Sequence, residues 1–588
     1  MDSAENSSPS IPAPAPNRTS QLWNRFLSHN LRLGRGRDVR LAFWLLATLA
    51  LCFLAYISRV HEITHDVFHE MALFREFLVL GEFPKSEIFA YTDRVDPSVH
   101  HEWATGALLY FATVASGLGL TGLVVLKFGL VSAMWLALYR VARMRGAHPY
   151  IFAILSVFCF PVFWVGFGTV RAQLFTLLFI AIQLWMQELD YRGRRWWCLP
   201  WLAMFVLWLN VHAGFVVGCG MIAFHSIERF YSAWSVRKSV ADAAKATWHL
   251  MALGPVAAAS TLLNPYGSQY IPYLIRAITM ERPQIREWMP LWYTHEPSRT
   301  LTLFTICLLL FALGFYANRK RMWHGAAFLG LAAFMTLKHI RHGSIFGAVW
   351  IAYVPAWFSR TLLGKRIVSY LEARRTTTIV ACQVLCVVFL AFACYQPFWK
   401  PTLPPLPRYS SASFPADAME YLRAHDFEGN LMTPFHVGAY VSWEMYPEVK
   451  VSFDGRYEVA YQPHMMPDHN RFYNAEDQWW EILDKYSTDA VLIHKQAKVC
   501  EQLSEFDSPD AVPHPTQGNW RHVYEDEAFI ILASQNIELP QVDRRGLTIR
   551  DSAASAFTYE DSHWHRESAP QVLAKRSDRK AYPTTDEL

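Results

Sequence analysis

The chain contains long apolar blocks that a soluble fold could not easily bury. Examples lie at 41–57, 172–186, 301–316 and 378–394. Each block is close to the length that an α-helix needs to cross about 30 Å of hydrocarbon. Hydrophobic residues make up 52% of the chain and charged residues only 18%. These features predict an α-helical multi-pass membrane protein.

The apolar pattern predicts about 11–13 transmembrane helices between residues 41 and 396, and about eleven of them are clear. The stretch 103–117 is short, so we interpret it as a re-entrant or tilted element on the outer side. The remaining predicted spans lie at 120–138, 150–165, 196–209, 214–232, 249–263, 323–337 and 343–358.

Basic residues in the short loops predict the orientation of these spans. Arg32, Arg35, Arg37 and Arg40 precede the first span. Cytoplasmic loops carry an excess of Arg and Lys, and about eleven spans place this cluster and the later basic loops on the same side. The N-terminus is therefore expected in the cytoplasm. The loops 59–102 and 264–300 and the region after residue 396 are expected outside it.

The regions at the two ends of the chain differ in composition from the spans. Residues 1–40 are rich in Ser, Pro, Asn and Arg, which predicts a disordered cytoplasmic N-terminus. Helix and strand patterns alternate over 397–542 after a proline-rich connector, which predicts an extracytoplasmic α/β domain. The polar tail 543–588 is expected to be disordered. Within the predicted domain, Asp454 and Arg456 are expected to form an ion pair that holds a turn.

Cysteine usage and net charge exclude some classes. Of 9 cysteines, only Cys500 falls in the predicted outer domain, and no CxxC pair occurs. Neither a disulfide framework nor a cysteine metal site is therefore indicated. The net charge of +4 is small, so nothing suggests a nucleic-acid partner.

Residues 61–70 are the most polar segment next to an apolar span. They read His-Glu-Ile-Thr-His-Asp-Val-Phe-His-Glu. Ionisable groups near membrane depth are costly, so they usually line a wet cavity and take part in function. We therefore expect a functional site at this segment.

Several motifs resemble, in their order along the chain, those of the GT-C class of membrane glycosyltransferases, which includes protein mannosyltransferases and aminoarabinose transferases. The resemblance covers residues 41–396 by order and spacing, and Asp66 takes the place of the acidic residue near the membrane surface. The other matching segments are Gly81-Glu82-Phe83-Pro84, His101-Glu102-Trp103, Arg171-Ala172-Gln173, and Trp208, Asn210, His212 and Gly214-Phe215, the last set being similar to a broken helix.

The resemblance implies a reaction and a location. A sugar would move from a polyprenyl-phosphate donor to a lipid, glycan or protein acceptor at the outer face of a bacterial inner membrane. Such a transfer needs a carboxylate that accepts the acceptor's proton and cations that hold the phosphate. Asp66 is the expected general base, with Glu102 as a second catalytic residue. Arg171, Arg341 and His342 are expected to bind the donor phosphate.

The substrate would also contact polar and aromatic side chains near the same surface. No Asp-Glu pair or Asp-x-Asp pattern occurs at Asp66, so the need for a divalent cation stays open, and no other cofactor is indicated. The expected substrate-binding residues are His65, His69, His101, Trp103, Gln173, Asn210 and His212.

Two other classes remain open from the residues alone. Residues 61–65 match HExxH, in which two histidines bind zinc and the glutamate activates water, as in a membrane metalloprotease. A transporter would also contain many spans and polar cavity residues. A transporter usually shows repeated halves, whereas this chain shows one candidate broken helix and no internal repeat.

Overall fold

The computed structural model describes residues 36–57, 64–163, 166, 170–280, 285–293, 297–319, 323–393, 414–505 and 520–543. Most of the predicted disordered ends, 1–40 and 543–588, lies outside the described residues, but residues 36–40 belong to the first helix and residue 543 to the last strand. The connector 394–413 and the first three residues of the HExxH match, 61–63, also lie outside the described residues.

The first two thirds of the chain form a helical bundle. Each predicted span coincides with a helix, and three further helices of the described bundle, α2, α10 and α14, lie outside the predicted spans. The helices are α1 (Gly36–Ile57), α2 (Asp66–Leu80), α3 (Trp103–Tyr110), α4 (Leu120–Met144), α5 (Pro149–Phe163), α6 (Ala172–Tyr191), α7 (Cys198–Val211), α8 (Phe215–Arg237), α9 (Val240–Ser260), α10 (Tyr270–Thr279), α11 (Pro297–Asn318), α12 (Ala326–Lys338), α13 (Gly343–Phe358), α14 (Leu362–Glu372) and α15 (Arg375–Ala393).

Among the described residues, four helices are long and apolar enough to cross a membrane: α4, α6, α11 and α15. The shorter apolar helices include α3, α5, α7 and α12. Helix α3 continues into a single wider turn, Phe111–Ala115, and ends there. The membrane class of the fold is therefore confirmed, whereas the number of crossings and their orientation stay predictions.

Helix α13 is the central helix of the bundle. All but one of its residues are buried, because it packs against α4, α5, α6, α11 and α12. A helix that is apolar on every side belongs in such a position. Gly347 allows the closest approach, since a side chain there would overlap the ring of Phe163.

The C-terminal region is an α/β domain, as predicted. Its six-stranded sheet has the order β2-β1-β3-β5-β4-β6, with β1 parallel to β2 and β3, and β5 antiparallel to β3 and β4. The elements are α16 (Ala416–Ala424), β1 (Gly429–Met432), α17 (Gly438–Met445), β2 (Val449–Val451), α18 (Tyr457–Ala460), α19 (Met465–Tyr473), α20 (Glu481–Lys485), β3 (Ala490–His494), α21 (Lys498–Glu505), β4 (Trp520–Glu525), β5 (Phe529–Ser534) and β6 (Val542–Asp543).

The loop between α2 and α3, residues 81–102, joins the C-terminal domain to the bundle. The Val451 amide donates to Phe89 (2.9 Å) and the Tyr91 amide donates to the Val451 carbonyl (3.2 Å), so the loop extends the β2 edge of the sheet. Helix α2 packs against α17, where the buried Arg75 guanidinium donates to the Trp443 carbonyl at 2.6 Å. These contacts hold the start of α2 between the bundle and the domain.

Candidate active site

Asp66 lies in the first turn of α2 and faces both halves of the protein. Its Oδ2 is 3.8 Å from an Nη atom of Arg171, and a Cβ added at Gly455 would lie 3.5 Å from its Oδ1. The positive end of the helix dipole favours a carboxylate at this position. The side chain is 39% exposed, so a substrate can reach it.

Arg171 immediately precedes α6 and lies between two carboxylates. Its extended backbone ends the preceding segment, and its guanidinium binds Glu287 as well as Asp66. Burial opposes its charge, but Glu287 and Asp66 compensate for this cost. Glu287 was not predicted as a site residue, because its short loop turn, Arg286–Trp288, shows no periodic pattern.

Glu102 immediately precedes α3 and lies among histidines from two other segments. Its Oε1 is 3.2 Å from His101 Nε2 and 3.5 Å from His212 Nε2. The Tyr273 hydroxyl lies 2.6 Å from His101 Nδ1 and fixes that ring. Burial raises the pKa of Glu102, but the imidazoles of His101 and His212 and a hydrogen bond from Glu70 outweigh burial, so the pKa is lowered.

His212 lies at the break between α7 and α8, which confirms the predicted broken helix. Its Nδ1 accepts the Gly214 amide hydrogen at 3.0 Å and lies 2.7 Å from the Thr176 hydroxyl. Since Nδ1 is an acceptor, the ring proton of the neutral form is on Nε2, which faces Glu102. The break therefore orients one N–H group toward the second carboxylate.

Trp103 and Asn210 are paired with each other. The indole N–H donates to Asn210 Oδ1 at 2.8 Å, and Asn210 Nδ2 lies 2.8 Å from the Val206 carbonyl and 3.0 Å from the Leu263 carbonyl. These bonds fix the end of α7 against α3. Contact of these two residues with a substrate stays a prediction.

Arg341 and His342 lie in the short turn between α12 and α13. The Arg341 guanidinium is 4.5 Å from the ring centroid of Trp288, the residue after Glu287. Gln173 Nε2 is 3.4 Å from the Arg341 carbonyl and 3.4 Å from Ser344 Oγ. Two arginines that are far apart in the sequence therefore reach the same segment, 286–288.

His65 and His69 face the C-terminal domain. The His65 ring lies 4.4 Å from the Phe414 ring and 5.6 Å from the His436 ring. His69 is on the side of Gly455 and Asp454, and burial lowers its pKa. A substrate role for either histidine stays a prediction.

The predicted ion pair of Asp454 and Arg456 is confirmed, and it has a third member. Arg456 Nη2 is 2.6 Å from Asp454 Oδ2, and its Nη1 is 2.8 Å from Glu87 Oε2. All three side chains are buried. Because Glu87 belongs to the loop 81–102, this triad fixes the loop to the C-terminal domain next to Gly455.

In the described part of the chain, no group of three His, Cys, Asp or Glu side chains has an arrangement that could hold a metal ion. His65 and Thr64 are the only described residues of the HExxH match. His61 and Glu62 lie outside the described residues, so the metalloprotease alternative stays a prediction.

Comparison with protein-family models and with curated proteins finds no match. Among solved structures, the fold is similar to GT-C glycosyltransferases, which confirms the resemblance noted in the sequence. One neighbour is the archaeal oligosaccharyltransferase AglB from Archaeoglobus fulgidus in complex with an inhibitory peptide and a dolichol-phosphate. The TM-score is 0.50 at 12% identity, and the match covers 78% of this chain and 70% of that chain.

A second neighbour is the arabinofuranosyltransferase AftD from Mycobacteria. Its TM-score is 0.46 at 12% identity, over 82% of this chain and 41% of that chain. The chain therefore spans less than half the length of that protein.

Proposed function

We propose that the protein is a membrane glycosyltransferase that transfers a sugar from a polyprenyl-phosphate donor to an extracytoplasmic acceptor. The shared fold supports glycosyl transfer in general. The AglB structure was solved with a dolichol-phosphate and a peptide, which supports a lipid-linked donor and a polar acceptor here. The bacterial inner membrane and the outward-facing site belong to the same proposal.

The observation that carries the proposal is the pairing of Asp66 with Arg171. An accessible carboxylate lies 3.8 Å from a guanidinium that begins a long apolar helix. We assign the carboxylate as the proton acceptor and the guanidinium as the phosphate-binding cation, at the start of a helix that is mostly buried in the bundle. Transfer from a lipid phosphate needs these two groups next to each other.

In the proposed reaction, Asp66 accepts the proton of the attacking hydroxyl group while the bond from sugar to phosphate breaks. The polyprenyl phosphate leaves with the electron pair of that bond. Arg171 and Arg341 bind its anionic oxygens, because a guanidinium can donate two parallel hydrogen bonds to a phosphate.

Donor binding also changes the partners of Arg171. A phosphate that binds this guanidinium competes with Asp66 and Glu287 for its N–H groups. When Arg171 turns to the phosphate, Asp66 loses its nearest cation and becomes a better proton acceptor. Glu102 stays anionic between His101 and His212 and accepts a hydrogen bond from the acceptor sugar or side chain.

The test is a transfer assay with the full chain in lipid nanodiscs. A panel of polyprenyl-phosphate sugars serves as donors, and release of free polyprenyl phosphate is measured together with loss of the lipid-linked sugar. We expect donor cleavage with at least one sugar, and cleavage reduced by about 10²–10⁴-fold with Asp66→Asn. Asp93→Asn is the matched control, because Asp93 is 58% exposed in the loop that follows α2 and its carboxylate pairs with His464, away from Asp66.

Absence of cleavage by the wild-type chain with every donor, together with no binding of polyprenyl phosphate alone, would overturn the proposal. Full activity of the Asp66→Asn protein would show that Asp66 is not the general base, while the proposed class of enzyme would stand.

A further inference from the structure

Glu70 is a buried acid that the proposed reaction does not use. It lies one helical turn after Asp66 and is only 3% exposed. Its backbone carbonyl touches α3 at Gly106, where any side chain would overlap that oxygen. This glycine lets α2 and α3 approach closely, and the approach brings the carboxyl group of Glu70 to that of Glu102.

The environment of Glu70 offers little to stabilise a negative charge. Among the described residues, no N–H or O–H donor reaches either of its carboxyl oxygens. Its hydrogen-bonding neighbour is the carboxyl group of Glu102, and the other charged groups that face it are Asp66 and Arg171. Two ionised carboxylates cannot hydrogen-bond to each other, so this pair must hold one proton.

The surroundings decide which acid holds that proton. Burial and the nearby Glu102 carboxylate raise the pKa of Glu70 well above its usual value. Glu102 has His101 and His212 as partners, and its pKa is lowered. The proton therefore resides on Glu70, and Glu102 carries the charge.

We propose that Glu70 is protonated at neutral pH and donates a hydrogen bond to Glu102, which makes it the positioning residue for that carboxylate. Glu102 then has three neighbours on three segments: Glu70 on α2, His101 before α3 and His212 after α7. These three neighbours together fix the orientation of the Glu102 carboxylate. The catalytic meaning of this arrangement rests on the proposed function, whereas the shared proton does not.

The pair also predicts how the site responds to pH. The folded state favours the protonated form of Glu70, so its stabilising effect is complete below the usual carboxyl pKa and is lost as the pH rises through the raised value. Deprotonation would place the charges of Asp66, Glu70 and Glu102 together, with Arg171 as the cation that faces Glu70. We therefore expect the arrangement of Glu102 to loosen on the alkaline side.

Infrared difference spectroscopy tests the proton directly and needs no substrate. The purified full chain is titrated from neutral to alkaline pH, and the carbonyl stretch of a protonated carboxylic acid is followed. We expect this band in the wild type, its loss at alkaline pH, and its absence in Glu70→Gln. Glu76→Gln is the matched control, because Glu76 is equally buried on α2 but is bound to the Arg75 guanidinium at 2.8 Å.

A wild-type spectrum without this band at neutral pH, or a band that persists in Glu70→Gln, would overturn the shared proton. If the band were lost in Glu76→Gln and kept in Glu70→Gln, it would belong to Glu76. This result would also overturn the proposal.

Kinetics test the positioning role. Glu70→Gln keeps a donor to Glu102 and cannot ionise, so we expect a near-wild-type kcat and a flatter alkaline limb of the pH profile. Glu70→Met fills similar space without a donor, and misplacement of Glu102 should lower kcat by about 10²-fold. Equal kcat values for the two variants would show that Glu70 only fills space. An inactive wild type would contradict the proposed function. The infrared result would still decide whether Glu70 and Glu102 share a proton.

Discussion

The two ends of helix α6 lie beside polar clusters that differ in how completely their carboxylates are bonded. At one end, Arg171 faces Asp66 at 3.8 Å, which is longer than a hydrogen bond. At the other end, Asp190 is 1% exposed and lies within hydrogen-bond distance of His249 (2.6 Å), Arg229 (2.8 Å), His225 (3.1 Å) and Trp197 (3.3 Å). A helix of 20 residues spans about 30 Å, so the clusters lie on opposite faces of the bundle.

The difference indicates which cluster is built for packing and which for chemistry. Asp190 has four donors within hydrogen-bond distance, and the Glu228 carboxylate binds the Gly325 amide at 2.9 Å and the Tyr191 hydroxyl at 3.1 Å. A saturated and buried carboxylate has nothing left for a ligand. Asp66 is accessible, and in the described part of the chain its ion-pair partner is Arg171 at 3.8 Å, which leaves acceptor capacity for a ligand.

The largest effect should come from Asp66→Asn. The amide keeps the shape of the side chain but cannot accept a proton, so we expect donor cleavage to fall by about 10²–10⁴-fold with little change in thermal stability. Turnover and melting temperature are measured on the same preparation. If turnover and melting temperature fell in parallel in this variant, Asp66 would have a packing role instead.

Asp190→Asn should have the opposite profile. It leaves His225, His249 and Arg229 without their carboxylate in a buried site, and breaking such a pair costs about 3–5 kcal/mol of folding free energy. We expect a clear loss of thermal stability, while the folded fraction keeps its turnover. A stable Asp190→Asn protein with abolished turnover would break the comparison.

Arg171→Lys and Arg341→Lys should have smaller effects. Lysine keeps the charge but loses the bidentate donor, so we expect donor affinity to fall by about tenfold, the cost of one hydrogen bond to a charged group. Binding of polyprenyl phosphate to each variant is measured by titration. Arg471→Lys, on the surface of the C-terminal domain, is the control, and unchanged affinity in both site variants would return these arginines to a structural role.

The smallest effect concerns a buried histidine away from the site. Burial, together with His436, lowers the pKa of His469 to about 3, and its Nε2 accepts the Phe435 amide hydrogen at 3.2 Å. The folded state keeps His469 neutral, so its contribution to stability is present above pH 6.5 and is lost as the pH falls toward 3.

For His469→Gln we expect a flatter acid slope, by at most about 1.4 kcal/mol per pH unit over that window. The measurement is hydrogen exchange of the sheet amides in the intact protein, corrected for intrinsic rates. An acid slope identical to that of the wild type would show that another group controls the response.

The sequence predicted what depends on local pattern. Apolar length located the helices, the alternation of helix and strand patterns identified the α/β domain, and the Asn-x-His-x-Gly pattern located the break at His212. Contacts between segments that are far apart in the chain could not be predicted, because they produce no local pattern in the sequence. Glu287 belongs to an irregular turn, and the spacing of Glu70 four residues after Asp66 suggested a shared helix face but not a shared proton.

The pairing of Phe89 and Tyr91 with Val451 could not be predicted either. Residues 89–91 have no strand-length alternation, and a short edge segment becomes a strand only when a partner is present. For this reason the sequence placed Asp66 near the membrane but did not reveal that Gly455 would lie beside it.

The contacts of α2 and the loop 81–102 with the C-terminal domain also determine when, during synthesis, the site can form. Arg75 binds the carbonyl of a residue 368 positions later in the chain. At about 5–20 residues per second, a ribosome needs roughly 20–70 s to make that length. Until then Arg75 lacks the Trp443 carbonyl, although Glu76 already lies beside it, and Asp66 lacks the Gly455 segment next to it. A nascent chain would therefore insert its helices first and acquire a competent site last, so a partly made protein could not act on its substrates prematurely.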